Sequence, residues 1–529
     1  MSVIVSSIKL PICENENAAI EKARAILGVK NSEVKSSHIS KVSLDARGHN
    51  VQFVYSVAFN LNQDEKELVL KKKSANIRYK ENIELKIEIN RKFKKPPVVV
   101  GFGPAGMFCA LVLARCGCAP IVLERGDDVD SRVESVKNFW ANGVLDVSTN
   151  VQFGEGGAGT FSDGKLTTRI NDERCDYVLD TFVSFGAPNE ILYKAKPHIG
   201  TDNLRSIVKK IRLEIERLGG KVMFLTKLED IEIKNDKVTC VKTNKGNIET
   251  NDVILAIGHS ARDTFEMLLS KGVLIEPKPF SVGVRVEHLQ KNINFGLYGK
   301  YADDPRLPKG EYQLSHIQNG RGVYTFCMCP GGQVVAAASE ENTVVVNGMS
   351  EFFRNGENAN SAVVVGVDPK DLGSEPLSGM NFQRKLEHLA FVEGGKDYKA
   401  PCQTLDCFLE GKKGANFSRV TPTYPIGVRE CNFEKIFPNY VVDMLKIGFK
   451  SFDRKIKGFA DGDTVITGVE SRTSSPIRIT RNERFCAIGF EGLYPCAEGA
   501  GYAGGITSAA VDGLRVAMAM IGRYAPFEK

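Results

Sequence analysis

The chain has 529 residues, of which 42% are hydrophobic and 25% charged, and this globular composition suits roughly two to four domains with ample core. Its net charge of +6 arises in residues 1–97, which hold 18 basic and 11 acidic side chains. Residues 1–13 lack the pattern of a secretory signal, and glycine and proline interrupt the longest apolar stretch, residues 98–113, so we expect a cytoplasmic protein without a transmembrane segment.

The first predicted unit is a small α+β domain at residues 1–95. It contains alternating apolar runs at residues 51–57 and 83–89 and a helical pattern at residues 18–27. Residues 91–97 are basic and end in two prolines, which predicts a linker. The basic excess is typical of a solvated helix end and linker, although contact with nucleic acid is the alternative.

A glycine fingerprint follows in a predicted strand, turn and helix, and the next apolar strand completes a βαβ unit. The segment 98–106 reads Val-Val-Val-Gly-Phe-Gly-Pro-Ala-Gly, a GxGxxG directly after a strand. Gly101 permits the tight turn, Gly103 lets a diphosphate approach the backbone, and Gly106 lets the helix pack on the strand. Pro104 and Ala105 open the helix, whose free N–H groups and dipole favour phosphate, so we expect a dinucleotide here.

The second predicted strand ends in Glu124 and Arg125, both expected to bind the cofactor. A carboxylate at Glu124 can accept the ribose hydroxyls of an adenosine and disfavours a 2′-phosphate, which indicates FAD or NAD rather than NADP. Residues 152–166 are then rich in glycine, and Gly157, Gly159 and Ser162 are expected to let backbone approach a large ligand. A flexible surface loop is the alternative for this segment.

Further along, the spacing predicts a helix over residues 201–218, capped by Thr201 or Asp202, and hairpins between residues 222 and 249. The predicted fold class is α/β: a Rossmann-type FAD-binding domain with an inserted β-rich α+β substrate domain and the small N-terminal domain. Its boundaries are residues 1–95 for the N-terminal domain, 96–274 for the first part of the Rossmann domain, 275–425 for the inserted domain and 426–529 for the return to the Rossmann domain.

Two later segments decide between the dinucleotides. Residues 251–260 form an apolar strand that ends at Gly258, and residues 492–506 hold Glu498, Gly505 and Ile506. Together with the fingerprint they resemble the FAD-contacting segments of Rossmann flavoproteins related to glutathione reductase and fumarate reductase. The resemblance implies that Glu498 binds the ribityl chain, where aspartate is more usual, and that a helix beginning near Ile506 faces the flavin.

The arrangement as a whole resembles a bacterial family of FAD-dependent dehydrogenases, and the resemblance extends over nearly the full chain, including residues 196–202 and 473–476. It implies the fold and an FAD cofactor but no reaction. The chain has one dinucleotide fingerprint and no CxxC, whereas disulfide reductases of the wider group carry a second fingerprint and a CxxC. If NAD(P)H reduces the flavin, we therefore expect it to dock transiently.

Five residues are candidates for catalysis. His198 and His259 could act as acid or base because imidazole titrates near neutrality, whereas Arg285, Arg472 and Ser474 could orient an anionic or carbonyl substrate. A structural role is the alternative for each. The thirteen cysteines suit free thiols, and the CxC pairs Cys116/Cys118 and Cys327/Cys329 lack the four-ligand pattern of a zinc site, so no metal is expected.

Cys327 and Cys329 lie two apart on one predicted strand, where same-face neighbours do not normally form a disulfide, so a role as small buried side chains is expected. The sequence thus favours an FAD-dependent oxidoreductase that transfers a hydride between flavin and an unidentified small-molecule substrate. The alternative is a redox protein whose basic N-terminal domain binds RNA or a protein partner, including a flavin-dependent RNA-modifying enzyme. The oligomeric state is left open.

Overall fold

The structure is a computed structural model that describes residues 2–47, 50–81 and 93–524. The predicted alternating run at residues 83–89 and the first two residues of the predicted linker lie outside this part of the chain. The N-terminal elements are β1 (Ser2–Pro11), α1 (Glu16–Leu27), β2 (Val34–Asp45), β3 (Gln52–Leu61), α2 (Glu65–Lys72) and β4 (Ile77–Lys80). The strands form an antiparallel sheet in the order β2-β3-β1-β4, as the α+β prediction requires.

The next elements begin with a strand, turn and helix, as the fingerprint predicts. They are β5 (Val98–Val100), α3 (Pro104–Arg115), β6 (Ile121–Leu123), α4 (Val129–Asn142), α5 (Arg174–Ser184), α6 (Thr201–Arg217), β7 (Lys221–Met223), β8 (Leu228–Lys234), β9 (Lys237–Thr243), β10 (Gly246–Glu249), β11 (Val253–Leu255) and α7 (Arg262–Ser270). The predicted hairpins are confirmed in the antiparallel sheet β8-β9-β10. Helix α6 begins where predicted, but its N-cap residue is Gly200, and Asp202 instead accepts a hydrogen bond from the Phe352 N–H at 2.9 Å.

The remaining elements run from β12 to the last described helix. They are β12 (Ile275–Pro277), β13 (Phe280–Leu289), α8 (Gln290–Tyr298), β14 (Ser315–Gln318), β15 (Arg321–Cys329), β16 (Gln333–Ala336), β17 (Val346–Met349), β18 (Asn358–Val367), α9 (Ser378–Glu393), β19 (Ala400–Thr404), α10 (Leu405–Glu410), β20 (Val428–Glu430), α11 (Asn439–Asp453), β21 (Val465–Glu470), β22 (Ile477–Ile479), β23 (Leu493–Pro495) and α12 (Ile506–Tyr524).

A parallel sheet in the order β23-β11-β5-β6-β7 is the Rossmann-type part of the molecule. Its short strands are largely apolar because helices cover both faces of a parallel sheet. The predicted α/β fold with a parallel sheet is therefore confirmed. Helices α3 and α12 pack closely, since a Cβ added to Gly513 in α12 would lie 2.2 Å from the carbonyl oxygen of Ala105 in α3.

A seven-stranded sheet in the order β14-β15-β18-β13-β21-β19-β20 makes up most of the second unit. The boundary predicted at residue 425 divides this sheet, because β20 and β21 lie beyond it. β21 pairs with β13 and β19, including Thr467 opposite both Arg285 and Cys402. The chain returns to the parallel sheet only at β23. Among the described residues, no helix combines the length and apolarity needed to cross a bilayer.

Candidate functional site

A cavity of about 500 Å³ lies between the carboxyl ends of the parallel strands and the seven-stranded sheet. Segments far apart in sequence line it, including residues 100–105, 123–125, 157–159, 162–165, 256–261, 496–498 and 504–506. Its volume falls in the range of roughly 300–1,000 Å³ typical of ligand sites. The ends of parallel strands are where open α/β sheets bind their ligands.

The turn after β5 shows why its glycines are required. Gly101 has φ 95°, and an added Cβ would lie 2.3 Å from the carbonyl oxygen of Ala256. Gly106 does not line the cavity: a Cβ there would lie 1.9 Å from the Gly101 carbonyl oxygen, so glycine lets the helix pack on the turn. Pro104 and Ala105 form the first turn of α3 and line the cavity.

Gly103 occupies a different position from its two neighbouring glycines. Its φ is −76°, which suits any residue, and an added Cβ would approach only the Cα of Gly157, at 3.7 Å. The next glycine of that loop, Gly159, would carry its Cβ 3.3 Å from the side chain of Ile506. Four predicted cofactor residues from three segments therefore meet at one wall of the cavity.

Glu124 is buried at the end of β6 and is held by backbone N–H groups. Its Oε1 accepts hydrogen bonds from Gly126 at 2.9 Å and Gly154 at 3.0 Å, and its Oε2 accepts one from Phe102 at 2.9 Å. An ionised carboxylate offers about four acceptor sites, so one remains on Oε2. The carboxylate also fixes the fingerprint turn to the glycine-rich loop.

Arg125, Ser162 and Gly258 are three further residues that the sequence predicts for the cofactor site. The guanidinium of Arg125 pairs with Asp263 at 2.9 Å and lies 4.3 Å from the ring centre of Phe153. Ser162 donates to the carbonyl of Gly159 at 2.6 Å. All three predicted residues line the cavity.

Glu498 lies beside the start of α12, where a Cβ added to Gly504 would be 3.6 Å from its Oε2. Its Oε1 accepts a hydrogen bond from the N–H of Ser475 at 3.2 Å, and burial raises the pKa of its carboxyl to about 7 against the opposing charge of Lys278. Gly505 and Ile506 also line the cavity, and the N–H of Gly505 donates to Ser508 Oγ at 3.1 Å. The acid and the helix start predicted for the flavin end thus share one wall.

Arg472 lines the cavity but is held from behind by a buried acid. Its Nε and Nη2 donate to Glu387 at 3.0 and 2.9 Å, and Glu387 also accepts from Arg262 at 2.8 Å. The two guanidinium groups hold the pKa of Glu387 well below its usual range. A third contact, from Arg472 Nη1 to Ser260 Oγ at 3.0 Å, joins this group to the loop after β11.

The pKa of each candidate histidine is lowered, mainly by burial. Burial, with the charges of Arg472 and Arg262, lowers the pKa of His259 to about 3, so its imidazole is neutral beside the cavity and hydrogen-bonds to Ser260. His198 does not line the cavity. One of its ring nitrogens hydrogen-bonds to the carbonyl of Phe352 at 2.9 Å, and burial also lowers its pKa.

Arg285 and Ser474 also lie outside the cavity lining. The side chain of Arg285 is completely buried and donates to Glu470 at 2.7 Å and to the carbonyl of Cys327 at 2.9 Å. Since Glu470 and Cys327 line the cavity, Arg285 supports the cavity wall by hydrogen bonds to these two residues. Ser474 is half-buried, and its neighbour Ser475 is the residue that contacts Glu498.

Sequence reasoning missed three kinds of residue in this site. Glu387 lies on helix α9, where a charged residue is ordinarily exposed, and no motif marks it. Lys165 and Glu311 form an ion pair of 3.0 Å in the cavity wall, and only the position of Lys165 in the glycine-rich segment could have drawn attention to it. Cys327 lines the cavity, whereas Cys329 is buried as expected.

A parallel sheet with a glycine fingerprint in its first βα turn, facing a cavity shared with later strand ends, defines a Rossmann-type dinucleotide-binding protein. The family model described as "FAD-dependent protein, C-terminal domain-like" matches residues 279–473, and the model of a domain of unknown function matches residues 2–60. A protein of Clostridium beijerinckii described as uncharacterized is 47% identical over 532 residues, 99% of each chain. The chain belongs to the same family as that protein, and its residues 279–473 match the model of FAD-dependent proteins.

Solved structures give more distant likenesses. The L-proline dehydrogenase from P. horikoshii is 14% identical, with 83% of this chain and 98% of that chain covered and a TM-score of 0.35. The glycine oxidase from Bacillus cereus is 13% identical, with 81% and 96% covered and a TM-score of 0.32. Likenesses of this size do not bear on the residues of the site.

Proposed function

We propose that this protein is an FAD-dependent oxidoreductase that transfers a hydride between flavin and a small molecule held beside the seven-stranded sheet. The single observation that carries the proposal is the continuous cavity in which the Gly101 turn, Glu124, the Gly157 loop and the start of α12 meet. FAD, when bound, supplies a ring that accepts or donates a hydride.

The residues present fit an extended dinucleotide. The first turn of α3 offers N–H groups of Ala105 and Gly106 that have no partner within the helix, together with the positive end of its dipole, and both favour a diphosphate. At Gly103 an added Cβ would point towards the Gly157 loop with space around it, which is the kind of gap a phosphate group fills. The remaining acceptor site of Glu124 suits a ribose hydroxyl.

The start of helix α12 and the neighbouring Glu498 suit the flavin ring. The N–H groups of Ile506 and Thr507 open helix α12, and their dipole favours negative charge on a reduced ring. Thr507 is itself fixed by a hydrogen bond from its Oγ1 to the carbonyl of Leu166 at 2.7 Å. Glu498 lies beside this helix start, where its carboxyl suits a ribityl hydroxyl.

The substrate would occupy the part of the cavity lined by Gln313, Thr325, Asn347 and Arg472. Arg472 would orient an electron-rich group on the substrate while Glu387 keeps its guanidinium in place. His259, neutral over the physiological range, would act there as a hydrogen-bonding group rather than as a cation. The opposing charges of Lys165 and Glu311 favour a polar substrate.

Flavin binding tests this proposal directly. The chain has one tryptophan, Trp140, whose ring centre is 6.3 Å from that of Phe161, next to the cavity residue Ser162. Adding FAD to flavin-free protein should quench its fluorescence by energy transfer to the flavin with saturation at one FAD per chain. Anaerobic addition of NADH and then NADPH, followed by loss of the visible flavin bands, would identify a nicotinamide as reductant.

The RNA-binding alternative has no observation in its favour among the described residues. Several basic side chains of the N-terminal part form ion pairs, among them Lys66 with Glu81, Lys71 with Glu67 and Lys80 with Asp176. Such pairing fits a solvated surface. Deleting residues 1–95 would test whether this part contributes to flavin reduction.

A further inference from the structure

A pair of thiols in the cavity wall has a geometry that a regular strand does not produce. Phe326 in β15 pairs with Ala362 in β18, but Cys329 pairs with Asn360, so one extra residue is inserted between them. Cys327 is part of this bulge and has φ 44°, a left-handed conformation that is uncommon outside glycine. Strained backbone of this kind is concentrated at functional sites.

The bulge turns Cys327 towards the cavity and keeps Cys329 behind it. Cys327 lines the cavity, and Cys329 is buried two residues further along the strand. The carbonyl oxygen of Cys327 accepts two hydrogen bonds, from Arg285 Nη1 at 2.9 Å and from the Cys329 thiol at 3.4 Å. The bulge is thus anchored on its buried side, and the Cys329 thiol contacts the backbone of Cys327.

The charges around the pair distinguish the two thiols. The neighbouring Cys329 thiol and the positive charges of Arg285 and Lys165 lower the pKa of Cys327 against the effect of burial, whereas the pKa of Cys329 is raised. Glu470 is the facing acid, and its charge is balanced by Arg285 at 2.7 Å. This arrangement gives one thiolate nucleophile and one protonated partner, as thiol–disulfide chemistry requires.

The pair also lies near the end of the cavity proposed for the flavin ring. Lys165, which acts on Cys327 through its charge, is followed in the chain by Leu166, and the carbonyl of Leu166 accepts the hydrogen bond from Thr507 in the first turn of α12. A single loop therefore supplies both the Lys165 charge that acts on Cys327 and the carbonyl that contacts the start of α12.

We propose that Cys327 and Cys329 form a redox-active dithiol that exchanges an electron pair with the flavin, an inference that rests on the proposed function. In the oxidising direction the S–H bond of Cys329 breaks and a bond forms between its sulfur and the thiolate sulfur of Cys327. The electron pair and the proton from Cys329 reduce oxidised FAD. In the reverse direction reduced FAD cleaves the disulfide, so the pair stores two electrons beside the ring.

The test counts electrons and thiols in air-oxidised protein that contains FAD. Anaerobic dithionite titration should require four electron equivalents per flavin in the wild type and two in Cys327→Ser and in Cys329→Ser. After the oxidised wild type is denatured in acid and treated with a thiol-labelling reagent, the number of labelled thiols should be two fewer than its thirteen cysteines. Peptide mapping should then find Cys327 linked to Cys329.

The other CxC pair provides the matched control. Cys116 and Cys118 do not line the cavity, and burial raises the pKa of both thiols, so Cys116→Ser/Cys118→Ser should still require four equivalents. A wild type that contains FAD, titrates with two equivalents and retains all its thiols would overturn the dithiol while leaving the flavin assignment intact. A wild type that binds no FAD would overturn both. If a serine variant fails to fold, peptide mapping of the wild type decides.

Discussion

Gly103 and Gly157 meet backbone to backbone, such that a Cβ on Gly157 would lie 2.9 Å from the Cα of Gly103. One residue belongs to the fingerprint turn and the other to the loop that leads to α5. Their approach closes one wall of the cavity without any side chain. The proposed function assigns the space beside Gly103 to the diphosphate of FAD.

Replacing Gly103 with valine should abolish FAD binding while preserving the fold. The φ of −76° accepts any residue, and the nearest atom to an added Cβ is 3.7 Å away, so the larger side chain extends into the proposed diphosphate site. Fluorescence quenching of Trp140 by FAD should be lost, with a circular dichroism spectrum like that of the wild type. Gly106→Ala is the contrasting variant: its Cβ would lie 1.9 Å from the Gly101 carbonyl oxygen, so it should lower the melting temperature. Full FAD binding by Gly103→Val would contradict the assignment.

Glu498 should make the flavin-free protein less stable as the pH rises. Its folded pKa of about 7 lies above the 4.5 that is usual for a glutamate carboxyl, so the folded state binds the proton more tightly. Its stabilising contribution is therefore present below about pH 4.5 and is lost as the pH rises to about 7, by at most about 3 kcal/mol. Glu287 is also raised to about 7, so the measurement is the difference between wild type and Glu498→Gln in urea unfolding across this range. Parallel pH curves for the two proteins would show that Glu498 ionises normally.

Removing Arg285 should destabilise the protein through its buried partner. Arg285→Met leaves Glu470 without its 2.7 Å ion pair in the core, a loss of about 3–5 kcal/mol for a broken buried pair. Arg285→Met/Glu470→Leu should recover much of this loss, because replacing both charges removes the unpaired acid. Guanidinium unfolding measures both effects. A double variant no more stable than Arg285→Met would indicate that packing, not charge, dominates there.

Glu387 should prove far more important to stability than an acid at the surface end of the same network. Its carboxylate joins Arg262 and Arg472 in the core, so Glu387→Gln should cost about 3–5 kcal/mol of unfolding free energy. The exposed Glu266, which contacts Arg384 at 3.2 Å, is the control, and Glu266→Gln should cost about 0–1 kcal/mol. Equal losses in the two variants would be inconsistent with a buried anchor for Arg472.

The parts of the site that the sequence predicted are those in which backbone geometry dictates the residue. Glycine is required at Gly101 and Gly106 because a Cβ at either position would lie about 2 Å from a backbone carbonyl oxygen. The spacing of these glycines is therefore visible in the sequence. The strand end at Glu124 and the helix start at Ile506 follow from apolar periodicity in the same way.

The rest depends on contacts between distant segments. The bulge at Cys327 is defined by pairing with β18, and the boundary beyond residue 425 by the pairing of Thr467 with Cys402. The pKa of His259 is set by burial and by two arginines that the sequence places elsewhere. Local sequence patterns do not contain these long-range contacts. From the sequence alone, Cys327 is therefore expected to be buried and His259 to titrate near neutrality.

The most direct measurement of the central claim is the stoichiometry and affinity of FAD for the purified chain, followed at Trp140 and by visible absorbance. The account predicts saturation at one FAD per chain, and loss of that binding in Gly103→Val without loss of fold. A folded wild-type protein that neither retains nor takes up FAD would contradict it.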